Sequence, residues 1–256
     1  MNQPDSVSTR RAVLASVGTF AAGGGVVYAG SQLGSESTSQ SSPSSPSSPS
    51  SDGPPVHRSS EPTGFGIDLA GHPLLGSPDA TLDMYYWSDY QCPFCRRFET
   101  ETLPKLVENH IEPGTVRLVY IQYPYLGQGS VTAAVMDRCV WRQVRDDAPE
   151  RYSDWHSTVF DEQGEKGSGW ASRDSLLDIT RGVDGVDADA VDSCMQNNRG
   201  EIESAIATDI DRGRQLGIRG SPAFIFYNRD TDSDGRIVGA QPYERFETKI
   251  AAVRNA

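Results

Sequence analysis

The chain has 256 residues and a formal net charge of −12, with only three lysines (Lys105, Lys166, Lys249) among its 23 basic residues. A surface of that sign repels polyanions, which excludes nucleic acid as a partner. The same balance suits a protein kept soluble in high salt, and it also suits an ordinary acidic secreted protein.

At the N-terminus, Arg10 and Arg11 stand ahead of a modestly apolar, Gly/Ala-rich run that ends at Ala29. Adjacent arginines before such a run read as a Tat-type export signal, cleaved or kept as an N-terminal anchor. The run barely reaches the roughly 20 residues a bilayer span needs. With the acidic composition, this signal points to a halophilic archaeal source and an extracytoplasmic location. Residues 31–62 are Ser/Pro-rich, a composition that buries no core and acts as a solvated spacer. The folded domain is therefore expected over residues 63–256, long enough for one substantial core.

The aromatic and apolar residues from Leu82 to Trp87 read as a buried strand. From Cys92 the pattern turns helical, with Phe98, Leu103, Leu106 and Val107 able to share a face. Val116–Gln122 is a second strand by its β-branched and aromatic content. A helical block follows, over about residues 129–216. Its pieces are Val131–Arg145, Arg151–Phe160, Ser172–Thr180, Ala188–Met195 and Glu201–Leu216, with a polar, Gly-rich loop at Glu162–Gly169. The apolar run from Pro222 to Tyr227 is a strand, Arg236–Ala240 its hairpin partner, and Pro242–Val253 a closing helix. Strands alternating with helices in this order imply an α/β layout around one sheet.

The chemistry concentrates at Cys92-Pro93-Phe94-Cys95. Pro93 suits the first helical position, where its missing N–H removes a donor the helix could not use. Cys92 then sits at the helix N-terminus, whose unpaired N–H groups and dipole favour a negative charge. A thiol so placed is expected to titrate at roughly 3.5–7.5 instead of about 8.5. Cys95 lies one turn behind it, close enough to close a disulfide. This is the pattern of a dithiol switch, with an exposed thiol and a recessed one. A zinc half-site would need a second close pair of ligands, and neither Cys139 and Cys194 nor the four histidines supply one, so no metal is expected. An inert structural disulfide is the remaining alternative for the pair. Asp89 is the nearest carboxylate, either a proton acceptor for Cys95 or a solvated or capping residue. Arg96 and Arg97 either favour a thiolate by charge or belong to the surface.

Together, Cys92-Pro93-Phe94-Cys95 after an aromatic strand and Gly220-Ser221-Pro222-Ala223 opening a later one resemble the thioredoxin superfamily. The intervening helical block makes the chain similar to its DsbA-like branch of thiol–disulfide oxidoreductases. The resemblance implies an α/β thioredoxin-like fold with a helical insertion, no cofactor, and thiol–disulfide exchange run as an oxidase. The alternatives are a reductase or isomerase of the same fold, or a non-catalytic extracellular binding domain with a structural disulfide. It also implies roles: Cys92 as attacking thiol, Cys95 as resolving thiol, and Pro222 as a cis-proline facing them. Ser221, Pro93 and Phe94 would meet the substrate, with Ser221 offering backbone hydrogen bonds to an extended segment. Partners would be cysteine-containing exported proteins and a membrane redox partner that resets the dithiol. Two departures stand out. Phe94 replaces the histidine that helps hold the thiolate in DsbA, leaving helix dipole and N–H groups to do most of that work and implying a weaker oxidant. Tyr86 occupies a position where many relatives carry an acid. Cys139 and Cys194 either pair, closing a loop of about 55 residues and contributing about 3–4 kcal/mol, or remain buried thiols, or form a second redox pair.

Overall fold

The computed structural model describes residues 53–63 and 65–256. The twin arginines and most of the Ser/Pro-rich stretch lie outside the described residues, and no described helix is long and apolar enough to cross a membrane.

One six-stranded sheet organises the molecule, with strand order β1-β2-β4-β3-β5-β6. The strands are β1 (Val56–His57), β2 (Leu74–Leu75), β3 (Leu82–Ser88), β4 (Val116–Gln122), β5 (Ala223–Asn228) and β6 (Asp234–Val238). β3 and β4 run parallel, and every other pairing is antiparallel. Every residue of β3 and β4 is buried, as expected of strands covered on both faces. Alternation along β3 sends Leu82, Met84 and Tyr86 to one core and Tyr85 and Trp87 to the other. The first core is dense in aromatic rings, with Tyr86 stacked on Phe224 at 4.9 Å and Phe98 4.6 Å from Phe224.

The helix after Cys92 is not uniform. It opens as α1 (Pro93–Arg97), widens into a π turn at Phe98–Thr102, resumes as α2 (Leu103–Leu106) and widens again at Val107–Ile111. Each wide turn admits an extra residue, so the core-facing side chains fall five apart, Phe98 to Leu103 and Leu106 to Ile111, instead of three or four. Val107, expected in the core, is accordingly only partly buried, and Ile111 takes its place.

Between β4 and β5 lie α3 (Gln128–Val144), α4 (Glu150–Asp161), α5 (Arg173–Arg181) and α6 (Ala188–Gln215), and α7 (Tyr243–Arg254) closes the chain. The Ser172 hydroxyl caps α5, and the Asp187 carboxylate caps α6 through the N–H groups of Asp189 and Ala190. The sequence predicts two helices where α6 runs unbroken. Val191, Met195, Ile202 and Ile206 form one buried stripe across Gly200, so tertiary packing outweighs the roughly 1 kcal/mol that glycine costs a helix.

The fold also begins before the expected boundary at residue 63. Val56 and His57 pair with Leu75 and Leu74. Glu61 reaches Arg117 at 3.3 Å and Arg229 at 2.9 Å. Arg117 is itself buried and donates to the buried Asp83 at 2.5 Å. Polar composition concealed this edge, because a two-residue strand and one ion-pair network leave no periodic signal.

Candidate active site

Cys92 occupies the N-cap of α1 in an extended conformation, φ −85° and ψ 115°, with Pro93 at the first helical position. Its carbonyl accepts the first helical hydrogen bonds, from the N–H of Cys95 at 3.0 Å and of Arg96 at 3.1 Å. Its own N–H donates to the Asp89 carbonyl at 2.9 Å, which fixes the turn out of β3. Neither sulfur is engaged in a disulfide, so this is the geometry of the dithiol form.

The Ser221–Pro222 peptide bond is cis, and the turn it makes brings Ser221 against the dithiol. The Cys92 Sγ donates to the Ser221 carbonyl at 3.4 Å. The Pro222 carbonyl is taken by the Gly239 N–H at 2.8 Å, which ties this turn to the β5–β6 hairpin. The Ser221 hydroxyl is buried in the same turn. Phe94 stands 54% exposed beside the pair.

The two thiols are electrostatically unequal. Cys92 is lowered to about 6, chiefly by a hydrogen bond from the Cys95 thiol, with Ser221 and the N–H groups of Cys95 and Phe94 adding to it against the opposing effect of burial. Cys95 is pushed up, first by its complete burial and then by donating to, and lying beside, the charge on Cys92. The depressed pKa falls in the range expected from helix position, but its largest cause is the neighbouring sulfur and not the helix N-terminus.

The arginines do not serve as charge partners for the thiolate. Arg96 donates to the carbonyls of Phe160 at 2.8 Å and Asp161 at 3.2 Å. Arg97 donates to the Ala240 carbonyl at 2.7 Å, and its guanidinium lies 5.3 Å from the Phe94 ring centre. Asp89 is buried and not solvated. Its carboxylate accepts from the N–H groups of Gln91 (2.9 Å), Tyr125 (3.0 Å) and Leu126 (3.3 Å), clamping the loop after β4 to the dithiol turn. The expectation of an exposed attacking thiol is also corrected. Cys92 keeps only 2% of its surface, with its Sγ against the Ser221 carbonyl.

Two further residues at the site, Gln163 and Tyr125, carry no motif that marks them in the sequence, and Tyr86 of β3 lies beside the pair as well. Gln163, in the Gly-rich loop, donates to the carbonyls of Tyr90 at 2.5 Å and Cys92 at 3.3 Å. Tyr86 is fully buried and accepts from the Ser88 hydroxyl at 3.0 Å, and its phenol is held well above its usual range by burial and by the nearby Cys95. Tyr125 lies across the cis-proline turn. A contact between loops distant in sequence leaves no local pattern to read.

Cys139 and Cys194 are joined in a disulfide that links α3 to α6, with their Cα atoms 5.8 Å apart. Neither can therefore complete a metal site with the dithiol. A cavity of about 850 Å³ opens elsewhere, against Glu99, Leu103, Tyr120, His156 and Phe160. Under it, Asp137 accepts from the hydroxyls of Tyr90 and Tyr152, each at 2.7 Å, and His156 reaches Glu99 at 3.0 Å. None of Cys92, Cys95 or Pro222 lines that cavity, so the chemistry is placed at the sulfurs.

Comparison with known proteins finds relatives of this chain. The chain is 24% identical over 160 residues to disulfide bond formation protein D of Bacillus subtilis (strain 168), covering 62% of this chain and 69% of that protein. The structure of oxidised BdbD from Bacillus subtilis matches with a TM-score of 0.63 at 21% identity, over 80% of this chain and 100% of that one. The structure of alpha-DsbA1 from Wolbachia pipientis matches with a TM-score of 0.62 at 22% identity, over 74% of this chain and 94% of that one. These likenesses establish the thioredoxin-like α/β fold with a helical insertion. Residues 69–251 match the family model described as Thioredoxin, and with that span covering most of its length the chain belongs to the thioredoxin family.

Proposed function

We propose that the protein works outside the cytoplasm as an oxidase, passing the Cys92–Cys95 disulfide to cysteine pairs of exported proteins. That it is a thiol–disulfide oxidoreductase follows from the family and the reactive pair. The observation that carries the direction is the inequality of the two thiols. A stabilised Cys92 thiolate favours the reduced form of the protein, and a protein stabilised when reduced is an oxidant.

The steps follow from that inequality. A substrate thiolate attacks Cys92 Sγ in the disulfide; the S–S bond breaks and Cys95 leaves with the electron pair. Burial makes a Cys95 thiolate unfavourable, so it takes up a proton at once. A second substrate thiol then loses its proton and attacks the substrate sulfur of the mixed disulfide. Cys92 departs as a thiolate, a good leaving group because with its low pKa it binds a proton weakly. The substrate has lost two electrons and two protons; Cys95 carries one of those protons, the other passes to water, and the protein is left reduced with Cys92 as the thiolate. A membrane redox partner restores the disulfide. Ser221 offers backbone hydrogen bonds to an extended substrate segment, with Pro222, Pro93 and Phe94 shaping the approach.

The extracytoplasmic assignment is supported by the twin arginines Arg10 and Arg11 and by the Cys139–Cys194 disulfide, a bond that persists in oxidising compartments. The acidic, lysine-poor composition supports a halophilic source. The Cys95→Ser variant tests the mechanism: it should accumulate mixed disulfides through Cys92, separable by gel under non-reducing conditions. Absence of such adducts, or an equilibrium potential against glutathione as reducing as that of a reductase, would overturn the oxidase reading.

A further inference from the structure

The nearly complete burial of Cys92 poses a steric problem for exchange, and Tyr125 stands where the problem arises. Tyr125 belongs to the loop between β4 and α3, and 48% of its surface is exposed. A β-carbon placed on Gly220 would lie 3.6 Å from the Tyr125 hydroxyl, so the end of the ring covers the Gly220–Ser221 backbone. Burial against that backbone, and the nearby Cys92 sulfur, push the phenol above its ordinary range. Ser221 is the residue whose carbonyl holds the Cys92 sulfur. An extended segment that pairs with the Ser221 backbone would approach beside this ring.

The backbone on either side cannot yield instead. The N–H groups of Tyr125 and Leu126 are both bound to the buried Asp89 carboxylate. What remains free is rotation of the exposed side chain, a motion of picoseconds to nanoseconds that imposes no slow step. Once turned outward, the ring offers a flat apolar face beside Cys92. Phe94 and Val238 are, with Tyr125, the exposed large apolar side chains among the described residues. Val238 directly precedes the Gly239 whose N–H holds the Pro222 carbonyl.

Resting on the disulfide-exchange reading, we propose that Tyr125 is a specificity-determining residue: it screens the Cys92–Ser221 contact and admits substrates whose cysteine is flanked by an aromatic side chain able to stack on it. The gain from such a pair corresponds to about a three- to tenfold preference.

The experiment compares wild type with Tyr125→Ala and Tyr125→Phe. The oxidised proteins are mixed with two reduced peptides, one with its cysteine beside phenylalanine and one beside serine. The reduced proteins are alkylated with a bulky maleimide across pH. Wild type and Tyr125→Phe are expected to favour the phenylalanine peptide by about three- to tenfold, and Tyr125→Ala to lose that preference. Tyr125→Ala should also be alkylated several-fold faster above the Cys92 pKa, with the midpoint of the profile unmoved, which a merely structural role would not produce. Retention of the wild-type preference in Tyr125→Ala, or alkylation at the wild-type rate, would overturn the proposal. Wild type inert to both peptides would overturn the exchange reading, and the proposal with it.

Discussion

Cys95→Ala offers the sharpest test of how the Cys92 thiolate is held. The Cys95 thiol is the first of the causes that bring Cys92 to about 6. A hydrogen bond to a charged acceptor contributes about 1.5–3 kcal/mol, and about 1.36 kcal/mol corresponds to one pKa unit. Removing this donor should therefore raise Cys92 to about 7–8. At pH 7 the thiolate fraction would fall from about nine-tenths to between about one-half and one-tenth. Alkylation of Cys92, read against pH alongside the ultraviolet absorbance of the thiolate, measures the change directly. Cys95→Ser keeps a donor at the same place and should fall between the two. A Cys92 that still titrates near 6 in Cys95→Ala would show that the helix terminus and Ser221 suffice alone, and would refute the reasoning.

Other consequences are open to direct measurement. Because Cys92 is depressed in the folded dithiol form, its stabilising contribution is complete above its unfolded pKa of about 8.5 and is lost as pH falls through about 6. Cys95 is raised, so its own contribution is lost as pH climbs past the unfolded value. The Tm of the reduced protein relative to the oxidised one should thus rise from about pH 6 to about 8.5 and fall beyond it; a flat difference would contradict both assignments. Opening the loop between Cys139 and Cys194, 55 residues apart, by a double substitution to serine should cost about 4 kcal/mol in denaturant unfolding. An unchanged midpoint would show that the bond constrains little. Arg117→Ala should cost about 3–5 kcal/mol by stranding the buried Asp83, and a loss below about 1 kcal/mol would mean that water reaches that carboxylate.

What the sequence discloses is what local chemistry dictates. Leu82–Trp87, the proline between the two cysteines and the Ser-Pro step before Ala223 each determine their own geometry within a few residues, and all appear as strand, helix N-terminus and strand. Gly200 misleads because helix propensity is local, while the stripe from Val191 to Ile206 that overrides it depends on packing against other helices. Arg96 and Arg97 look like electrostatic partners of a thiolate until the carbonyls of Phe160, Asp161 and Ala240 are seen to claim them. The thiolate's main donor was present in the motif itself, three residues on. Gln163 and Tyr125 were not legible, since each reaches the dithiol from a loop whose position is set by the rest of the fold.

Those two arginines moor the short helix behind the sulfurs from opposite sides, Arg96 to the end of α4 and Arg97 to the segment just past β6. A helix anchored at both flanks should stay in place as its disulfide opens and shuts. Each turnover is then expected to alter little beyond the two sulfur atoms. The voltage of the couple is accordingly written in a handful of short-range contacts, and substitutions around Cys92 should retune it without loosening the fold.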